Sequence, residues 1–421
     1  MKLYIDPGTG SMLFSLALGL ISVVWFGLRK LYLKVKYLTP GKVRTDVAKK
    51  DIVIYSEDKR YWTNFKGILD EFERRKIPVT YLAGSEDDPN LSTEYEYVEK
   101  EVAGLGNKAF TKLNFLNARI CLATTPGLDV YQWKRSKNVD CYIHLTHSIG
   151  PGTGYRMFGT QFFDAVLLSS DVYVGQHREI EKKRNSAEKD IVSVGSPYMD
   201  YLLKRKALLP PSERNGNITV LLAPSWGASG ILSRFGDKVL NALKDSGFDI
   251  IFRPHPQSYI SEAELIAGLR ERFPDSDRFH WNRDSDNFAV LSKADLLISD
   301  YSGIIYDYAL VFERPVLYAD VDFDYATYDS AWLDDPTSWR KTLEKIGQKL
   351  EEDKIGQLKT IIETMTGQAS YRQAILEARD ECWQHRGHAA ERVADYVVAK
   401  LHSLNTEAGQ SGNKRGGSIK Q

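Results

Sequence analysis

The chain has 421 residues, 43% hydrophobic and 27% charged, enough apolar material for sizeable cores and a length that suggests two domains with additions. Lysine plus arginine and aspartate plus glutamate both number 56, so the basic excess of a nucleic-acid binder is missing and no nucleic-acid partner is expected. The three cysteines, Cys121, Cys141 and Cys382, are odd in number and never form CxxC, which argues against a disulfide framework or a zinc knuckle and for a reducing compartment.

The first expected element, over residues 1–40, is a membrane anchor. No charged residue occurs from Pro7 to Leu28, and a bilayer-spanning helix needs roughly 20 mostly apolar residues. Of the basic residues only Lys2 precedes this run, whereas Arg29, Lys30, Lys34, Lys36, Lys42, Arg44, Lys49 and Lys50 follow it. A cleavable signal peptide has the reverse order. The positive-inside rule then places the N-terminus outside and the bulk of the chain in the cytoplasm, beside anionic lipid heads. The expected location is the cytoplasmic membrane, crossed once, with the catalytic part facing the cytoplasm.

From about residue 50, apolar runs alternate with helical stretches. Asp51–Tyr55, Pro78–Leu82, Arg119–Ala123, Asp140–Leu145, Ala165–Ser169 and Ile191–Gly195 read as strands, with helices such as Tyr61–Lys76 and Val172–Lys183 between them. These form a first lobe over 41–209. Pro210, Pro211 and Gly216 bracket a polar linker. A second lobe over 216–335 repeats the alternation, with strands Ile218–Ala223, Asp249–Arg253, Phe279–Trp281, Leu296–Ser299 and Val316–Ala319. Its helices are Phe235–Ser246, Glu262–Phe273 and Ile304–Phe312. Residues 336–404 read as helical and charged, and 405–421 as a disordered tail. The fold class is α/β: two Rossmann-like lobes whose ligand cleft lies between them, at the carboxyl ends of parallel strands.

Three motifs stand at such strand ends. His144-Leu145-Thr146-His147 runs out of a strand into the glycine-rich stretch Gly150, Gly152, Gly154. Glycines there let the backbone approach a ligand, and neutral imidazole at His147 suits removal of a proton from an attacking hydroxyl. The stretch is neither a Walker A loop nor GxGxxG. His144 lies within the strand and reads as structural. Arg253-Pro254-His255-Pro256 follows another strand, and its prolines hold both preceding residues out of the helical region, giving a stiff loop suited to clamping phosphate charge. Asp300-Tyr301-Ser302-Gly303 leads from a strand into a helix, where Ser302 caps the helix or binds phosphate at its free N–H groups and Asp300 holds a clamp residue or a substrate hydroxyl. Ser225 ends the first strand of the second lobe, and Asp322 follows a later one, in a stretch that either meets ribose or donor hydroxyls or is an acidic surface loop. No metal cluster and no cofactor is expected.

Taken together, these motifs resemble the CDP-glycerol glycerophosphotransferase family, over roughly residues 140–400. The family's His-Gly-Thr-like loop is similar to His147-Ser148-Ile149. Its Arg-x-His-Pro is matched by Arg253-Pro254-His255-Pro256, and its Asp-Tyr-Ser-Ser by Asp300-Tyr301-Ser302-Gly303. Its closing motif resembles Arg386-Gly387-His388 with Glu391-Arg392. The resemblance implies a GT-B-type fold and a CDP-glycerol or related CDP-polyol donor. It also implies a lipid-linked or polymer acceptor whose hydroxyl attacks the β-phosphate and expels CMP. His147 would be the base, with His255, Arg253 and Ser302 on the phosphates. The chain departs from the pattern at Gly303, which replaces a serine, at His388, which replaces a lysine, and at Ser148, which replaces a glycine. A sugar-nucleotide glycosyltransferase of the same fold and a non-catalytic nucleotide-binding module remain the alternatives.

Overall fold

The computed structural model describes residues 22, 24–28, 48–210, 216–284, 286–300, 302–319, 324–338 and 340–416. Residues 1–49 and 50–421 form separate units. In the first, 22 and 24–28 are helical, and Val24, Trp25, Phe26 and Leu28 are exposed. Most of the expected membrane helix and of the basic cluster after it lies outside the described residues. Among the described residues no helix is long and apolar enough to cross a membrane.

The second unit carries two wholly parallel sheets. The first contains β1 (Lys50–Ser56), β2 (Val79–Ala83), β3 (Val98–Val102), β4 (Ala118–Ala123), β5 (Val139–Leu145), β6 (Ala165–Leu168) and β7 (Asp190–Ser193), in spatial order β3-β2-β1-β4-β5-β6-β7. Successive side chains of β1 serve opposite faces, as the two-residue strand period requires. Ile52 and Ile54 pack with Phe65, Ile68, Leu69 and Phe72 of the helix Trp62–Arg75. Val53 and Tyr55 pack with Leu113, Trp133, Tyr142 and Phe163.

The second sheet contains β8 (Thr219–Leu222), β9 (Asp249–Phe252), β10 (Phe279–Trp281), β11 (Leu296–Ser299), β12 (Val316–Ala319) and β13 (Gly347–Leu350), in order β10-β9-β8-β11-β12-β13. Each sheet reverses its winding once, between β1 and β4 and between β8 and β11. A crevice opens at such a switch point, beyond the carboxyl ends of the strands.

The lobes meet through one shared core. Val166, Leu168, Met199 and Leu202 from the first lobe pack with Leu221, Leu297, Ile305 and Tyr308 from the second. Its seam is formed by the helices Pro197–Ala207 and Ile304–Phe312, which are joined by a hydrogen bond from Tyr198 Oη to the buried Asp307 carboxylate at 2.9 Å. The chain then returns to the first lobe, where Val393, Ala394 and Val397 of the helix Ala389–Gly416 cover the β1 face. This return passes close to Gly195, whose φ is +89° and where a Cβ would fall 2.7 Å from the Gln384 carbonyl oxygen.

Three expectations need correction. β3, which carries Glu99, Lys100 and Glu101, is absent from the expected strands. It is an edge strand, where one-sided pairing leaves room for charge, and Lys50 bonds Glu99 and Glu101 across its end. β13 lies beyond residue 335, so the second sheet takes its last strand from a stretch read as helical. The helix Ala389–Gly416 also runs through 405–416, the first part of the tail expected to be disordered.

Candidate functional site

His147 begins the loop after β5. Its Nδ1 lies 3.2 Å from Tyr155 Oη, and its ring meets Tyr61 edge to face at 5.2 Å between centroids. Burial lowers its pKa below the ordinary 6.5, opposed by the Thr124 backbone, so the ring is held neutral. His144 is different. It is fully buried against Tyr155 and Phe163, neither ring nitrogen has a hydrogen-bond partner among the described residues, and burial holds its pKa well below 6.5. It is a neutral core residue.

The loop carrying Tyr155 is braced from two sides. The buried His177 shares a 2.6 Å hydrogen bond with the Pro151 carbonyl. Gly152, with φ +71°, allows this fit, since a Cβ there would stand 3.3 Å from Thr146 Cγ2. From the second lobe, Asp329 and Ser330 donate backbone N–H bonds to the Tyr155 and Thr153 carbonyls at 2.9 and 2.8 Å. The buried Asp329 carboxylate accepts from Phe158 N, Gly159 N and Arg184 Nη2 at 2.7, 2.9 and 2.6 Å.

Beside His147, at the end of β1, stands a group that sequence reasoning missed: Glu57, Arg60 and Tyr61. Burial raises the Glu57 carboxyl, opposed by the Thr125 hydroxyl and the Arg60 charge. The Thr124 hydroxyl is buried with no hydrogen-bond partner among the described residues. Asp58 caps the short turn Lys59–Tyr61, accepting from Arg60 N and from Arg60 Nε at 2.8 Å.

In the second lobe, His255 is exposed after β9. Its Nδ1 accepts from Gln257 N at 3.1 Å, which leaves Nε2 as the ring nitrogen that carries the proton. Burial lowers its pKa, Asp300 acts to raise it, and Arg60 of the first lobe acts to lower it further. Arg60 thus lies within electrostatic reach of His255, while its guanidinium carbon stands 6.0 Å from the Tyr61 ring that touches His147. Arg60 and Tyr61 thus stand between His147 of the first lobe and the charge environment of His255 of the second.

The other expected residues divide. Asp300 is buried and accepts both Ser225 N–H contacts, at 3.0 and 2.9 Å, and Ile231 N–H at 3.2 Å. It joins β8 to β11 across the switch point and fixes Ser225 there. Ser302 Oγ stands 3.5 Å from Ile304 N. Gly303 opens the helix Ile304–Phe312 with free space where a Cβ would be, and the Ile305 and Tyr306 N–H groups are taken by the Ser302 and Gly303 carbonyls at 3.2 and 3.0 Å. Arg253, by contrast, is only 8% exposed, and its guanidinium is engaged by Asn282 Oδ1 and by the Asp284 carbonyl at 2.6 Å. Asp322 lies outside the described residues. Among the described residues no cluster of three or more histidine, cysteine or acidic side chains is placed to hold a metal ion. A cavity of about 790 Å³ lined by Ser193, His385, Arg386 and Arg392 lies beside β7 and includes none of these side chains.

Residues 42–399 match the family described as CDP-glycerol:poly(glycerophosphate) glycerophosphotransferase. Among solved structures the chain is similar to the wall teichoic acid polymerase TagF, at 16% identity over 84% of this chain and 90% of that one, with a TM-score of 0.50. It is also similar to S. aureus MnaA in a co-structure with UDP, at 11% identity over 84% and 97% with a TM-score of 0.54. A UDP-N-acetylglucosamine 2-epimerase matches at 12% identity over 83% and 95%, again with a TM-score of 0.54. These likenesses concern the fold, the GT-B-like pairing of two Rossmann-like lobes. Among curated proteins no sequence matches.

Proposed function

The chain belongs to the CDP-glycerol:poly(glycerophosphate) glycerophosphotransferase family, and on that premise we propose that it moves a glycerol-phosphate or similar polyol-phosphate unit from a CDP-activated donor to a hydroxyl of a lipid-linked acceptor or growing surface polymer. What supports this reading is that His147 follows β5 in one lobe and His255 follows β9 in the other, with the Arg60 charge of the first lobe acting on His255. In the reaction the acceptor oxygen forms a bond to the donor's β-phosphorus. The bond from that phosphorus to the bridging oxygen breaks, its electron pair leaves on CMP, and the acceptor proton passes to His147.

A neutral His147 suits that task. A neutral ring keeps one nitrogen with a lone pair to receive the acceptor's proton, while Tyr155 Oη and the Thr124 backbone fix the ring's orientation. His255 Nε2–H and Ser302 meet the phosphates, beside the open space at Gly303. Asp300 sets the Ser225 loop. The uncharged run 7–28 and the basic residues after it support a cytoplasmic-membrane location with this site on the cytoplasmic side, next to an acceptor carried on lipid.

The test is nucleotide release by the full chain in detergent, supplied with CDP-glycerol, CDP-ribitol or UDP-sugars and a lipid-linked or glycerophosphate acceptor. CMP release from a CDP-polyol, lost in His147→Ala and His255→Ala, is the expected result. Release of UDP alone would replace this reading with a glycosyltransferase, and tight nucleotide binding without turnover would replace it with a binding module.

A further inference from the structure

We propose that Arg60, at the end of β1, is the guanidinium that holds the non-bridging oxygens of the donor's diphosphate, a place the sequence pattern assigns to Arg253. This inference rests on the transfer reading above. Charge builds on the phosphate oxygens as the acceptor attacks, and a preorganised guanidinium with free N–H groups is well matched to it. Arg253 does not have them: its side chain is buried and engaged by Asn282 and the Asp284 carbonyl within its own lobe. It serves as a strut for the loop after β10.

Arg60 has what Arg253 lacks. Its side chain is 77% exposed, and only Nε is committed, to Asp58 Oδ1 at 2.8 Å. Nη1 and Nη2 make no hydrogen bond among the described residues. The Asp58 contact leaves the fork of Nη1 and Nη2 unoccupied. The place is also right. Arg60 follows β1 at the switch point of the first sheet, where ligands of open α/β sheets bind. One neighbour, Tyr61, packs on His147, and the Arg60 charge reaches His255. A phosphate lying between a base in one lobe and a proton donor in the other would therefore meet this guanidinium. An exposed pair with Asp58 contributes little to stability, so a purely structural role would leave the chemistry almost untouched.

The experiment compares Arg60→Ala, Arg60→Lys and Asp58→Asn in the full chain, measuring CMP release from CDP-glycerol and CDP affinity by calorimetry. Arg60→Ala should lose about 10²–10³-fold in kcat/KM, the scale for removing one charge-stabilising donor, and should bind CDP more weakly. Arg60→Lys should recover part of the rate but not the bidentate fit. Added guanidinium ion should restore activity to Arg60→Ala, which repair of a merely structural defect would not do. Asp58→Asn keeps the guanidinium and should stay within about threefold of the unaltered protein.

Arg60→Ala acting at the unaltered rate, or Asp58→Asn falling as far as Arg60→Ala, overturns the proposal. If the unaltered protein releases no CMP from any CDP-polyol, the transfer reading fails by itself. The affinities for CDP and UDP then decide Arg60: weaker binding by Arg60→Ala sustains its contact with the diphosphate, and unchanged binding refutes it.

Discussion

Asp307 makes the lobe seam sensitive to pH. It sits in the first turn of the helix Ile304–Phe312, buried beneath the cleft, with Tyr198 Oη as its hydrogen-bond donor. Burial pushes its carboxyl up from 3.8 to about 7, with Tyr198 acting against the rise. The folded protein therefore binds a proton there more tightly than the unfolded chain does, and stability from this group is fullest below the unfolded value and is lost as pH rises toward 7. Each tenfold difference in proton affinity is worth about 1.4 kcal/mol, so ionising Asp307 in place costs the folded state roughly 4 kcal/mol by pH 8, an upper bound because the seam can relax and admit water. Asp307→Asn keeps an oxygen to accept from Tyr198 and removes the ionisation. Urea unfolding of both proteins from pH 5 to pH 8 isolates the effect, since groups common to both cancel in the difference. The difference should move in favour of Asp307→Asn by about 1–3 kcal/mol across that interval. A difference that does not change with pH, or that moves the other way, would refute the account of the seam.

Two further outcomes follow from the braces around the cleft. Because burial favours neutral His147, the acid limb of the kcat/KM profile for transfer should lie below 6.5, and a limb at or above that value would remove His147 as the base. Asp329→Ala strands Arg184 and two backbone N–H groups in a buried setting, so unfolding in urea should show a loss of about 3–5 kcal/mol. Limited proteolysis should then cut near 150–159, and an unchanged cleavage pattern would show that the Tyr155 loop does not depend on this brace.

Much of the fold was legible because buried parallel strands are short apolar runs, as Ile52–Tyr55 and Leu296–Ile298 are, and the helices between them carry one apolar face. β3 and β13 escaped because each pairs on one side only, and that freedom admits Glu99, Lys100 and Lys349, residues that erase the pattern. The same pattern places the candidate site residues. His147, His255, Ser302 and Asp300 follow strands directly, and strand ends are where α/β ligands bind.

What local sequence cannot show is where a side chain spends its hydrogen bonds. Arg253 reads as a phosphate clamp until Asn282 and Asp284, brought in by β10, take its guanidinium. Asp300 reads as a ligand for substrate until β11 sets it against Ser225 N. Arg60 suffers the opposite error. In Glu57-Asp58-Lys59-Arg60-Tyr61 it is one charge among several, and its place comes from strand order. β1 is flanked by β2 on one side and by the distant β4 on the other, so the turn after it opens into the crevice facing the second lobe. The exposed charge that matters here is the one the topology carries to a switch point with its donors unspent, and that is a property of the whole sheet.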